Sequence, residues 1–241
     1  MKGNPKAIAQ RRGAALLLAL LVAAGCSLHT KEDAGKDDGW SKQFGVEKRT
    51  LSPTGRNRYF ILEPGFQIAL QGQDEKVVIT VLGETKQIGG VTTRVLEERE
   101  EKDGRLAEVS RNFFAICKDS GDVFYFGEDV DDYEDGKVVR HSGAWRAYEK
   151  DAKPGLMMPG APVVGAKYYQ EIAPGKAMDR AEIVSLHETL KTPAGTFANC
   201  LKAEETSGLN AGERQHKTYA PGIGMIQDED LLLISYGFVG R

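Results

Sequence analysis

The residues able to do chemistry in this 241-residue chain fall into three sets: thiols, clustered carboxylates and imidazoles. The thiols are Cys26, Cys117 and Cys200. The densest carboxylate run is Glu128-Asp129-Val130-Asp131-Asp132-Tyr133-Glu134-Asp135-Gly136. Hard oxygen ligands at alternating positions suit calcium. Read as an EF-hand loop from Asp131, however, the run puts Tyr133 at the third position and Ser142 where the bidentate glutamate belongs. That motif fails, and a solvated acidic hairpin tip is the expectation. The imidazoles His141, His187 and His216 follow neither zinc-finger spacing nor a His-Glu-x-x-His helix. The chain has no Gly-x-Ser-x-Gly elbow and no Cys-x-x-Cys pair. Cys200 with His187 is the one nucleophile–base pairing left open to a hydrolase. No catalytic residue, metal or cofactor is assigned.

Cys26 has a chemistry of its own. It closes the apolar run Gly13–Gly25, which follows Lys2, Lys6, Arg11 and Arg12 with no acidic residue before it. A basic start followed by an apolar stretch too short to span a bilayer is the layout of an export signal over residues 1–25. Ala23-Ala24-Gly25-Cys26 resembles a lipobox, with Ala23 where leucine is commonest. That resemblance implies a diacylglyceryl group on the Cys26 thiol and palmitate-type acylation of the new N-terminus. Two acyl chains hold a protein stably, whereas one binds only reversibly. Ser27 resembles the residue that sorts lipoproteins to the outer membrane, which implies the periplasmic side of that membrane. An ordinary secretory signal that leaves Cys26 free is the alternative.

Residues 1–25 hold four basic and no acidic side chains, so the remainder sets 28 basic against 35 acidic residues, a net charge of −7. Such a chain has no electrostatic footprint for nucleic acid. It has no charge-driven affinity for an anionic bilayer either, so lipid must do the holding. Cys117 and Cys200 form an even pair in an oxidising compartment. They are open to one disulfide or to two separate buried thiols.

Residues 26–57 are polar and broken by Gly35, Gly39, Pro53 and Gly55, and read as a lipidated N-terminus and flexible tether with a reach of roughly 30 Å. Trp40 and Phe44 are its bulky apolar residues, available to dock locally. Residues 58–241 read as a single β-rich domain. Strand signals fall at 59–62, 66–70, 77–82, 91–100, 106–117, 123–126 extending toward 134, 137–139, 167–172, 181–190, 197–205, 214–219 and 231–235. Asp103-Gly104 marks a tight hairpin turn, and Asn112–Cys117 is open to a short helix. The fold class is mainly β: a curved antiparallel sheet, half-barrel or sandwich-like, with little helix. Lys153–Ala177, rich in Pro and Gly, reads as a long loop. Its apolar tip, Leu156, Met157 and Met158, either folds back to plug the sheet or forms a ligand or partner contact.

Several elements in order resemble a family of uncharacterised bacterial exported proteins and lipoproteins, from Tyr59 to the C-terminus. They are Tyr59-Phe60 with Pro64-Gly65, Phe124–Val130, Lys153-Pro154-Gly155 with Met158-Pro159, Thr192-Pro193-Ala194-Gly195-Thr196-Phe197 with Cys200, and Tyr219-Ala220-Pro221-Gly222-Ile223-Gly224. The last two also resemble elements of proteins related to the lipoprotein-localisation factors. That likeness implies a half-barrel around an apolar cavity. Phe66-Gln67-Ile68 stands where the resemblance calls for a Trp, which implies a differently lined cavity.

Together these readings predict a cell-envelope lipoprotein whose concave β domain binds an apolar ligand or an envelope protein. A structural or assembly component acting through protein contacts is the alternative, and a hydrolase a third.

Overall fold

The structure is a computed structural model that describes residues 39–210 and 212–240. The export signal, Cys26 and the first part of the expected tether lie outside those residues.

Two antiparallel meanders build the molecule. The first runs through β4 (Phe66–Gln71), β5 (Glu75–Ile88), β6 (Val91–Lys102), β7 (Arg105–Cys117) and β8 (Val123–Glu134). The second runs through β14 (Asp179–Thr192), β15 (Gly195–Ser207), β16 (Arg214–Ala220), β17 (Gly224–Asp228) and β18 (Leu231–Phe238). β18 pairs with β4 through Leu233↔Leu70 and Tyr236↔Ile68, which makes the meanders one sheet. Alternating β-branched and aromatic residues favour these long strands. Turn chemistry sets their register: Asp103 and Gly104 both take positive φ, and Lys102 pairs with Arg105 across them. The mainly β reading is correct.

The connection between the meanders almost closes the sheet into a barrel. After β9 (Lys137–Arg140) and β10 (Trp145–Arg146) flank β8, β11 (Lys153–Met158) adds to its edge through Gly155↔Tyr125. β12 (Lys167–Tyr169) pairs with β14 at the far edge, and β13 (Glu171–Ile172), two residues further on, pairs with β11. Residues 167–172 therefore bridge the two edges. The Pro/Gly-rich stretch read as a long loop instead contributes three strands, β11, β12 and β13. Gly155 permits it: a Cβ there would lie 2.0 Å from the Gln170 carbonyl oxygen, so only glycine lets β11 approach this closely. The tip folds inward, with Met158 only 1% exposed and Leu156 and Met157 packed against the core.

The domain also begins earlier than the sequence reading placed it. Residues 39–57 are not tether but a layer laid on the barrel. They include the 3-10 turn Val46–Lys48, β1 (Leu51–Ser52) paired with the end of β7, and β2 (Gly55–Asn57). Phe44 packs on Phe124. Arg49 pairs with Asp122 at 3.0 Å and donates to the Phe44 carbonyl at 3.0 Å. β2 forms a hairpin with β3 (Phe60–Leu62) across one end of the barrel. Tyr59 anchors it, its hydroxyl donating to the Asn199 carbonyl at 3.1 Å. Asn112–Cys117 is the last turnless part of β7 and not a helix, because its neighbours on β6 and β8 use its backbone groups.

Candidate ligand-binding cavity

Side chains two apart on a strand share a face. In β5 the inward set is Glu75, Val77, Ile79 and Val81; in β6 it is Leu96, Glu98 and Glu100; in β7 it is Glu108, Ser110, Asn112 and Phe114. Register stacks these sets in layers, Val77 with Glu100 and Glu108, then Ile79 with Glu98 and Ser110, then Val81 with Leu96 and Asn112. The barrel interior thus runs from carboxylates at one end to hydrocarbon at the other. It is not filled: a half-open cavity of about 1180 Å³ lies within it.

The β2–β3 hairpin stoppers the apolar end. Phe60 meets Phe114 at 5.1 Å between ring centroids, and Phe114 stacks on Tyr125 at 4.6 Å. Phe66, Ile223 and Met225 complete this floor. Trp145 stands behind Tyr125 in an edge contact at 5.4 Å.

Above the floor the lining becomes acidic. Eleven carboxyl side chains line the cavity against three basic ones, Lys176, Arg214 and Lys217. Burial pushes Glu98 and Glu108 up to about 7, Glu128 up to about 8 and Asp179 up to about 6, each helped by neighbouring carboxylates. Glu98 keeps part of its surface open to the cavity yet lies deep in the molecule, which is why it feels desolvation so strongly.

Two networks organise the wall. In the first, the Tyr125 hydroxyl lies against Asn112 Oδ1 and 3.1 Å from Glu128 Oε2, while Asn112 Nδ2 donates to Ser110 Oγ at 2.9 Å. One hydroxyl hydrogen faces two acceptors. With Glu128 protonated, its carboxyl donates to the hydroxyl and the hydroxyl to Asn112; with Glu128 ionised, the hydroxyl turns to the carboxylate. In the second, Lys217 Nζ lies 3.0 Å from Glu205 Oε2 and 3.7 Å from Asp228 Oδ2, and Gln170 Nε2 donates to Glu205 Oε1 at 2.9 Å. Between the networks stands Glu171, on β13 at the closing seam. It is 7% exposed, and its buried Oε2 has no hydrogen-bond partner. Burial and the nearby Glu128 and Asp179 hold its pKa well above the usual carboxylate range.

The residues singled out from the sequence sit mostly elsewhere. Cys117 and Cys200 are free and buried, each in its own strand. Burial works to raise the Cys117 thiol, but hydrogen bonds with Ser120, Asp119 and Arg49 outweigh it and lower the pKa; burial beside Glu188 raises that of Cys200. His141 lies 2.9 Å from Asp131, His216 faces Glu204 and Glu229, and His187 lines a smaller cavity with Arg58 and Tyr59. The three do not converge. In the acidic run, Asp129 pairs with Lys86 and Arg146 and Asp131 with Arg111, while Glu128 turns inward. Among the described residues, no three or more His, Cys, Asp or Glu side chains are grouped to hold a metal ion. Of the predicted contact residues, Met157 lines the cavity, its sulfur 3.8 Å from Gln170 Nε2. The sequence reading missed Glu98, Glu108, Tyr125, Glu171 and Lys217. The signal available was the alternation Leu96-x-Glu98-x-Glu100 facing Glu108-x-Ser110-x-Asn112.

No family model matches the chain, and no curated protein matches its sequence. The resemblance read from Thr192–Phe197 and Tyr219–Gly224 therefore gains no family model; those elements form the β14–β15 and β16–β17 turns. Among solved structures, a candidate lipoprotein from Parabacteroides distasonis ATCC 8503 aligns with 76% of this chain and 100% of its own, at 12% identity and a TM-score of 0.36. A likeness that slight fixes neither fold nor role.

Proposed function

We propose that this chain is a lipid-anchored protein of the cell envelope, held by acyl groups on Cys26, and that its barrel binds a small ligand with an apolar part. One observation carries the binding half of this reading: the barrel keeps a cavity of about 1180 Å³ with a stoppered aromatic floor. A barrel built for stability alone fills its interior with side chains. Ligand sites combine apolar walls with a few placed polar groups, and here Phe60, Phe66 and Phe114 lie below Tyr125, Asn112 and Glu128. The anchor half rests on residues 1–26 of the sequence.

Native mass spectrometry of the full chain, released from envelopes into lipid nanodiscs, tests both halves. The expected result is an acylated Cys26 peptide and a stoichiometric, solvent-extractable adduct of defined mass. An unmodified Cys26 overturns the anchor. A bare protein mass across several growth conditions overturns the ligand.

A further inference from the structure

We infer that the ligand is an organic cation, an apolar chain carrying an amine, seated with its ammonium group against Glu171. This deepens the proposed binding function and rests on it. The first support is the charge of the lining, eleven carboxyl groups against three basic ones. A site for a fatty acid or phospholipid headgroup calls for a buried cation, and among the described lining residues the two guanidinium and ammonium groups nearest the carboxylates, Arg214 and Lys217, are already paired with them, while Lys176 is exposed. Lys217 is held by Glu205 and Asp228, Arg214 pairs with Glu204, and Lys176 donates to the Ala144 carbonyl at 3.1 Å.

The second support is independent of charge count. Glu171 Oε2 is buried at the cavity wall with no donor to meet it. Buried acceptors without partners are rare in native structures, because each forfeits its hydrogen bonds to water. An ammonium group supplies up to three donors and the opposite charge. Glu128 and Asp179 stand near enough to perturb the same carboxyl, so the positive charge of the ammonium meets more than one acidic group. The apolar floor then takes the hydrocarbon.

Binding leaves the proton balance simple. The Glu171 carboxylic acid releases its proton to solvent as the ammonium arrives, and a carboxylate–ammonium pair replaces an unpartnered acid.

The test is calorimetric titration of the full chain in nanodiscs at pH 8, with empty nanodiscs subtracted. The probes are octylammonium, 1-octanol and octanoate, which share a chain and differ in head group. Octylammonium is expected to bind about tenfold or more tighter than octanol, with octanoate weakest. Glu171→Gln should cost octylammonium about tenfold while leaving octanol within about twofold, and Glu98→Gln provides a second variant with the same expected direction. If octanol binds as tightly as octylammonium, or octanoate more tightly, the cationic inference fails and the cavity-binding reading stands. If none of the three binds, both fall.

Discussion

Tyr125 and Glu128, three residues apart on β8, hold each other across the cavity wall, the hydroxyl lying 3.1 Å from Oε2. Ordinary strand alternation would send them to opposite faces. They share one because the β7–β8 register slips between Asn112 and Phe114, where Gly127 takes φ 126° with the Trp145 carbonyl crowding it. The bulge thereby turns a carboxyl into the barrel. Because the hydroxyl favours the ionised carboxylate more than the neutral acid, Tyr125→Phe should move Glu128 upward from about 8. It should also cost about 1–3 kcal/mol of stability by stripping Asn112 Oδ1 of its donor. Carbon-detected NMR titration and urea unfolding read the two effects.

Stability should fall as pH rises through neutrality. Glu98, Glu108, Glu128 and Asp179 have folded values of about 7, 7, 8 and 6, all above their ordinary ones. Their neutral forms are favoured by the fold, so their contribution is complete below the ordinary carboxyl range and is lost progressively as pH rises from there through the folded values, up to about 8. The groups facing them are Lys102, Lys217, Glu100, Tyr125, Asp132, Glu171, Glu205, Glu213 and Asp228. Melting scans should show a Tm about 5 °C or more higher at pH 5 than at pH 8.5. Glu98→Gln should flatten the profile; a Tm rising over that range would contradict it.

Lys217 compensates the acidic interior. Lys217→Met would leave Glu205 and Asp228 without their shared ammonium, at a cost of about 3 kcal/mol at pH 8. The loss should shrink at pH 5, where the carboxylates can take up protons. Adding Glu205→Gln should recover part of it. Chemical unfolding at the two pH values decides.

Gly155 controls closure. Gly155→Ala puts a methyl group where the Gln170 carbonyl oxygen stands, so β11 must leave β13 or shift along β8. The expected cost is about 2–4 kcal/mol, with faster amide exchange at residues 167–172 than in β5–β7. Uniform exchange would count against a separable seam.

Much of the scaffold is legible in the sequence, and its reasons are local. Asp103-Gly104 and Asp135-Gly136 specify tight turns by backbone geometry, so the hairpins they join can be read directly. β17 is hidden because Gly222 and Gly224 carry the same turn signal on its doorstep, and β11 because Pro154-Gly155 reads as a break. The cavity is illegible for a different reason. Period-two alternation separates the two faces of β6 and β7 but does not say which is inside. The usual rule puts Glu98, Glu100 and Glu108 in water; the barrel puts them around a cavity. Glu171 gives no signal at all, since the carboxyl groups that perturb it include Glu128 in β8 and Glu205 in β15, far from it in sequence and brought to it only by closure of the sheet.

The docking of residues 39–57 has a consequence for the proposed anchor at Cys26. With Arg49 clasping Asp122 and Ser41 bridged to the seam at Tyr168, only residues 27–38 lie in sequence between Cys26 and the folded body. An anchor there, as proposed, would join the folded body at Gly39, two residues before the strand bridge that ties Ser41 to Tyr168 on the closing seam, rather than at the start of the barrel strands.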